Sequence, residues 1–139
     1  MLYFYLKKNR IGGFNMKKII FIVLLLTSVS GMAANWVYLG TAQGRKYYYD
    51  SNNISGRTIG DEGHWTWVKI IYPNLWTIGG KDFNVKHEQW VFDCNGYVRI
   101  DDEFYYYNKT LVHQNTGTGK WASVVPDSMG EGLKDLVCR

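Results

Sequence analysis

Between His64 and Tyr72 the chain alternates so that Trp65, Trp67, Lys69 and Ile71 fall on one side of an extended backbone, while Thr66, Val68, Ile70 and Tyr72 fall on the other. Both sides are largely apolar. A strand of this kind needs cover on two faces, so it belongs inside a sheet and not at its rim. Composition agrees from Ala34 onward: six Trp, nine Tyr and three Phe stand against three Ala. Aromatic and β-branched side chains pack well on a pleated surface, whereas helices favour Ala and Leu.

The first third of the chain reads as an export signal. Met16-Lys17-Lys18 gives a basic start, Ile19 to Val29 an apolar run, and Gly31-Met32-Ala33 the small residues a signal peptidase inspects. The expected organisation is a non-native extension over 1–15, a signal peptide over 16–33 and a single domain over 34–139. The apolar run gives out at Ser28, Ser30 and Gly31, short of the roughly 20 apolar residues a membrane-crossing helix needs. Removing 33 of the 139 residues leaves 106, enough for one modest core and too few for a separate cofactor domain. Charge changes with the cut. Five of the sixteen Lys and Arg precede Ala34 and all twelve acids follow it, leaving eleven cations against twelve acids, a net charge of −1. That balance argues against nucleic acid as a partner, because neutralising phosphates requires a basic excess. A lipid anchor would require a cysteine directly after the cleavage site, and the first cysteine is Cys94.

Strands are expected over Trp36 to Leu39, Arg45 to Asp50, His64 to Tyr72, Val85 to Cys94, Tyr97 to Tyr107 and Trp121 to Val125. Pro73-Asn74 and Gly79-Gly80 read as a break from Pro73 to Phe83, and Asn95-Gly96 as a hairpin turn. One helix closes the chain. Ser128-x-x-Glu131 is a capping box, and Leu133, Leu136 and Val137 form an apolar stripe behind it. The fold class is therefore α+β: an antiparallel sheet of about six strands with a C-terminal helix packed on it. Two cysteines in an oxidising compartment allow one intramolecular pair, Cys94 with Cys138, which would tie the helix to a strand end. An intermolecular disulfide or a two-cysteine metal site competes, but neither cysteine has a CxxC partner or a histidine at zinc-finger spacing.

Catalytic chemistry is sparse. His64, His87 and His113 are the only imidazoles, and no Gly-x-Ser-x-Gly elbow or His-Glu-x-x-His helix occurs. Gly117-Thr118-Gly119-Lys120 lacks the upstream glycine of a phosphate loop, and Trp121 occupies the position a Mg-binding hydroxyl needs. Asp101, Asp102 and Glu103 are strand neighbours that point to alternate faces, which disfavours a Ca site or a glycosidase pair. The two Tyr-Tyr-Tyr runs, at 47–49 and 105–107, fit cross-strand packing better than a stacking ladder for a ligand. The expectation is a non-enzyme without metal or other cofactor.

Taken in order, Trp36-Val-x-Leu-Gly, Lys46-Tyr-Tyr-Tyr-Asp50-x-x-x-Ile54, Trp67-Val-Lys, Gln89-x-x-x-Asp93-Cys94, Trp121-x-x-Val-x-Pro126-Asp-Ser128 and a final Cys138 resemble the bacterial surface-adhesin protein E family over nearly the whole domain. The resemblance implies an antiparallel sheet with a disulfide-tethered C-terminal helix. It also implies a protein-binding role, since the founding adhesin is a dimeric outer-membrane lipoprotein that binds vitronectin, laminin and plasminogen. The partner would be a host extracellular-matrix or bacterial envelope protein, with a homodimer as an option and a periplasmic or cell-surface location. The lipid-bearing cysteine of that adhesin is missing here. The family's basic binding stretch falls on Lys81, Lys86 and His87, although Asp82 and Glu88 beside them fit an ordinary solvated surface. The competing role is a periplasmic small-ligand binder or an inhibitor of lytic enzymes, the latter needing a protruding acidic loop such as Asp61-Glu62.

Overall fold

The two-sided strand does lie inside a sheet. In the computed structural model, which describes residues 33–55 and 63–139, His64–Ile78 (β3) is the third of six strands that follow one another in space as they do in sequence. The others are Trp36–Ala42 (β1), Arg45–Ser55 (β2), Lys81–Phe92 (β4), Tyr97–Tyr107 (β5) and Thr110–Asn115 (β6), all antiparallel to their neighbours. A two-residue strand, Ala122–Ser123 (β7), pairs with β5 through Tyr97 and Val98, beyond the reach of β6. The expected leader through Ala33, save Ala33 itself, and the Asp61-Glu62 loop lie outside the described residues. Among those described, no helix is long and apolar enough to cross a membrane.

Met129–Val137 (α1) supplies the cover for one face. Ser128 caps it, accepting from the Glu131 N–H at 3.2 Å, and Glu131 reaches back to accept from the Asp127 N–H at 2.7 Å, one residue before the cap itself. Leu133 and Val137 are buried against Val68, Ile70 and Phe92, with Tyr47, Tyr49, Trp90 and Val98 packed around them. Truncating a side chain as enclosed as Leu133 costs about 3 kcal/mol in cores of this kind. Cys94 and Cys138 form the disulfide, their Cα atoms 5.7 Å apart, which pins the C-terminal end of α1 to the end of β4. At the other end of the helix a Cβ on Gly40 would lie 2.8 Å from Met129 Sδ, so the first turn rests where β1 offers only backbone.

Three features differ from the expectation. Pro73 does not interrupt β3: pairing with β2 stops at Ile71, and a register shift against β4 lies between Ile71 and Trp76, so no partner requires an N–H at residue 73. The strand runs on to a two-residue turn at Gly79-Gly80, where φ values of 56° and 74° favour glycine. Thr110–Asn115 forms a strand where none was expected, entered through an Asn108-Lys109 turn. The expected last strand, Trp121 to Val125, shrinks to the two residues of β7. The Asn95-Gly96 hairpin forms as a four-residue loop in which Asp93 Oδ1 accepts from the Asn95 and Tyr97 N–H groups, at 2.8 and 3.1 Å.

Candidate functional site

Alternation along the strands sorts side chains onto two faces with different chemistry. On the helix-covered face Lys86, opposite Ile70, lies 2.6 Å from Glu88 Oε1 and 2.6 Å from Glu103 Oε1. The remaining oxygens are used as well. Trp90 Nε1–H donates to Glu88 Oε2 at 2.6 Å, and Asn115 Nδ2–H donates to Glu103 Oε2 at 3.3 Å. Burial alone would lower the Lys86 pKa, but the two carboxylates outweigh it and hold the ammonium well above its ordinary value. Burial raises Tyr72 and Tyr105 above the usual phenol range. Beside this network an open groove of about 420 Å³ runs between Arg45, Tyr72 and Trp90 on the sheet and Val125 and Met129 at the start of the helix. The Arg45 guanidinium covers its outer wall, 4.7 Å from the Tyr72 ring centroid and 4.9 Å from that of Trp76.

The β3–β4 hairpin extends this face. Since β2 pairs no further than Ile71 and β5 no further than Val85, residues 72–84 run past both flanking strands. A chain of rings, Trp76 to Tyr72 to Phe83 to Tyr105 to His113, holds it in place with centroid separations of 4.9 to 5.8 Å. Leu75 and Trp76 remain 53% and 48% exposed.

Among the described residues the opposite face carries no helix. There a hollow of about 360 Å³ is lined by Trp36, Lys69, Ile71, Val85, His87, Tyr106 and Lys109. Trp36 reaches from β1 over β2 and β3 to place its ring 5.0 Å from His87, whose other side meets Tyr106 at 4.8 Å. The Lys69 ammonium lies between the rings of Trp36 and Tyr48, at 4.7 and 5.0 Å. Burial, with the Lys69 charge adding to it, pushes His87 down to about 4, so the imidazole is neutral at physiological pH. Burial likewise lowers Lys69.

The three basic residues singled out by resemblance do not form one patch. Lys81 is exposed at the hairpin turn, Lys86 is enclosed by carboxylates under the helix face, and His87 faces the opposite hollow. The glycine-rich loop and the acidic run meet each other: Gly117 N–H donates to Asp102 Oδ1 at 3.0 Å and Gly119 N–H to Asp101 Oδ1 at 2.9 Å. Loop amides engaged by carboxylates are not a phosphate cradle. No cluster of metal-ligating side chains occurs among the described residues. The Tyr runs split between faces: Tyr47 and Tyr49 pack toward the helix, while Tyr48 meets Tyr38 on the other side at 5.4 Å. Sequence reasoning missed the open-face hollow, though it held one signal, Lys69 as the lone cation on the Trp65, Trp67, Ile71 side of β3.

A family model described as surface-adhesin protein E matches residues 36–139, from the first strand to the last residue of the chain. No curated protein and no solved structure gives a significant match.

Proposed function

The chain belongs to the surface-adhesin protein E family, and we propose that it is an exported, non-enzymatic protein-binding module that docks a host-matrix or bacterial envelope protein on its β3–β4 hairpin. The observation that carries this reading is the hairpin itself. A segment running past both neighbouring strands, with Leu75 and Trp76 half exposed on it and Lys81 and Asp82 at its turn, offers an apolar centre with a charged rim. Small apolar anchors ringed by polar groups are how protein interfaces concentrate their binding energy. Export through the Met16 to Ala33 segment fits the disulfide, which persists in oxidising compartments. Of the three basic residues, Lys81 is assigned here as a contact, Lys86 as a strut behind the hairpin and His87 to the other face.

The test is surface-immobilised binding of the purified protein to vitronectin, laminin and plasminogen, and to an envelope extract, alongside a Leu75→Ser/Trp76→Ala variant and Lys81→Ala. The expected result is at least a tenfold loss of affinity for the double variant, about the worth of one interface anchor, with a smaller, salt-sensitive loss for Lys81→Ala. Unchanged binding by a double variant that melts like the parent would remove the hairpin from the interface.

A further inference from the structure

We propose that the hollow on the open face of the sheet binds a small organic anion, a carboxylate carried on a flat apolar body of one or two rings. The argument starts from a charge imbalance. Lys69 and Lys109 both line the hollow, and no carboxylate lines it. The contacts of Lys69 are the faces of Trp36 and Tyr48. Ring faces attract a cation but are poor hydrogen-bond acceptors, so the three N–H donors of the ammonium have no strong acceptor among the described residues. Lys86, across β3 from Ile70, shows how this fold treats a lysine it uses structurally: two carboxylates at 2.6 Å. Lys69 has none.

Lys109 adds a second observation. It sits in the two-residue turn between β5 and β6 with φ of 67°, after Asn108 at 47°. Turns of this hand take glycine most readily at the second position, and a residue with a side chain pays a conformational penalty there. The chain nevertheless places a lysine at that point, on the rim of the hollow, where its charge reinforces that of Lys69.

The walls define the rest of the ligand. Trp36, Ile71, Val85 and Tyr106 present ring and aliphatic surface, and about 360 Å³ suits a body of one or two fused rings. His87 lies between Trp36 and Tyr106 as a neutral ring, able to donate one hydrogen bond without adding charge. Partial burial strengthens an ion contact at Lys69 relative to one in open water. The inference is independent of the protein partner, because hollow and hairpin use different residues.

The test uses the purified, isotope-labelled protein titrated separately with 2-naphthoate, its neutral analogue 2-naphthamide, and acetate, following the Trp36 indole N–H and the His87 ring by NMR. Naphthoate should shift both signals saturably. The amide, without the charge, and acetate, without the body, should each bind at least about tenfold more weakly, the lower end of what a charge-assisted hydrogen bond or a buried ring contributes. Acetate also stands for the carboxyl group of an acidic protein side chain. Binding as tight as naphthoate would show that the apolar walls contribute nothing and would overturn the assignment. Lys69→Met should abolish the preference for acid over amide, and Lys109→Asn, on an exposed turn suited to Asn, should weaken naphthoate alone. Equal binding of acid and amide by the parent, retention of the preference in Lys69→Met, unchanged naphthoate binding in Lys109→Asn, or no saturable shift at millimolar naphthoate would refute the proposal.

Discussion

Lys86 and Lys69 lie on adjacent strands one register step apart, and they face opposite sides of the same sheet. Lys86 points to the side of the sheet that carries the helix, where Glu88 and Glu103 hold it and Trp90 completes the network. Lys69 points to the uncovered side, between two aromatic faces and with no carboxylate lining its hollow. The difference shows that on a sheet covered on one side, residue type does not tell structural charge from available charge. Cover does. Where a helix closes over a strand a cation must be matched, because an unmatched buried charge costs several kcal/mol; where the face stays open, water or a ligand can match it.

The contrast breaks most severely if the helix is released. Cys138→Ser removes a crosslink between positions 44 apart in sequence and should lower unfolding stability by about 4 kcal/mol, measured in urea. The sheet should persist, and the open-face rings should keep their NMR shifts longer than Leu133 and Phe92 keep theirs. Loss of both faces together would mean that the helix organises the whole sheet.

Acid sharpens the contrast from the other side. His87 titrates near 4 in the folded protein against about 6.5 when unfolded. Between these values the unfolded chain holds the extra proton, so stability is full above pH 6.5 and falls as the pH drops toward 4. Allowing for the partial exposure of this ring, the loss should be about 1–2 kcal/mol. His87→Phe, which retains a ring between Trp36 and Tyr106, should remove that slope; a slope unchanged by the substitution would assign it to other groups.

The smallest effect belongs to the hairpin rim. Lys81→Ala should alter stability by less than about 0.5 kcal/mol, since this exposed residue makes no ion pair among the described residues. A loss well above that in thermal melts would make the hairpin turn part of the stability core and not a free surface.

Much of the frame was legible because its signals are local. Two-sided alternation placed β3 inside the sheet, Ser128 and Glu131 marked the helix start, and the two cysteines, on the expectation of an oxidising compartment, allowed one internal bridge. The break expected at Pro73 does not form, because Pro73 falls where β3 has lost β2, and the two glycines serve the turn at the hairpin's end. β6 was missed because Asn108-Lys109 lacks the glycine that usually announces such a turn, and because Thr110–Asn115 is short and mostly exposed. The open-face hollow was not legible at all. Trp36, Lys69, His87, Tyr106 and Lys109 come from four strands and a turn, and only register brings them together. Lys86 and His87, adjacent in sequence, stand on opposite faces because neighbours on a strand face apart.

The most direct test of the division between a committed face and an available one is urea unfolding of Lys86→Met beside Lys69→Met. Both remove one ammonium and keep an apolar side chain of similar length. The account predicts that Lys86→Met loses about 3 kcal/mol, because Glu88 is left buried without its cation, while Lys69→Met stays within about 1 kcal/mol of the parent. Equal losses, or a larger loss at Lys69, would contradict it.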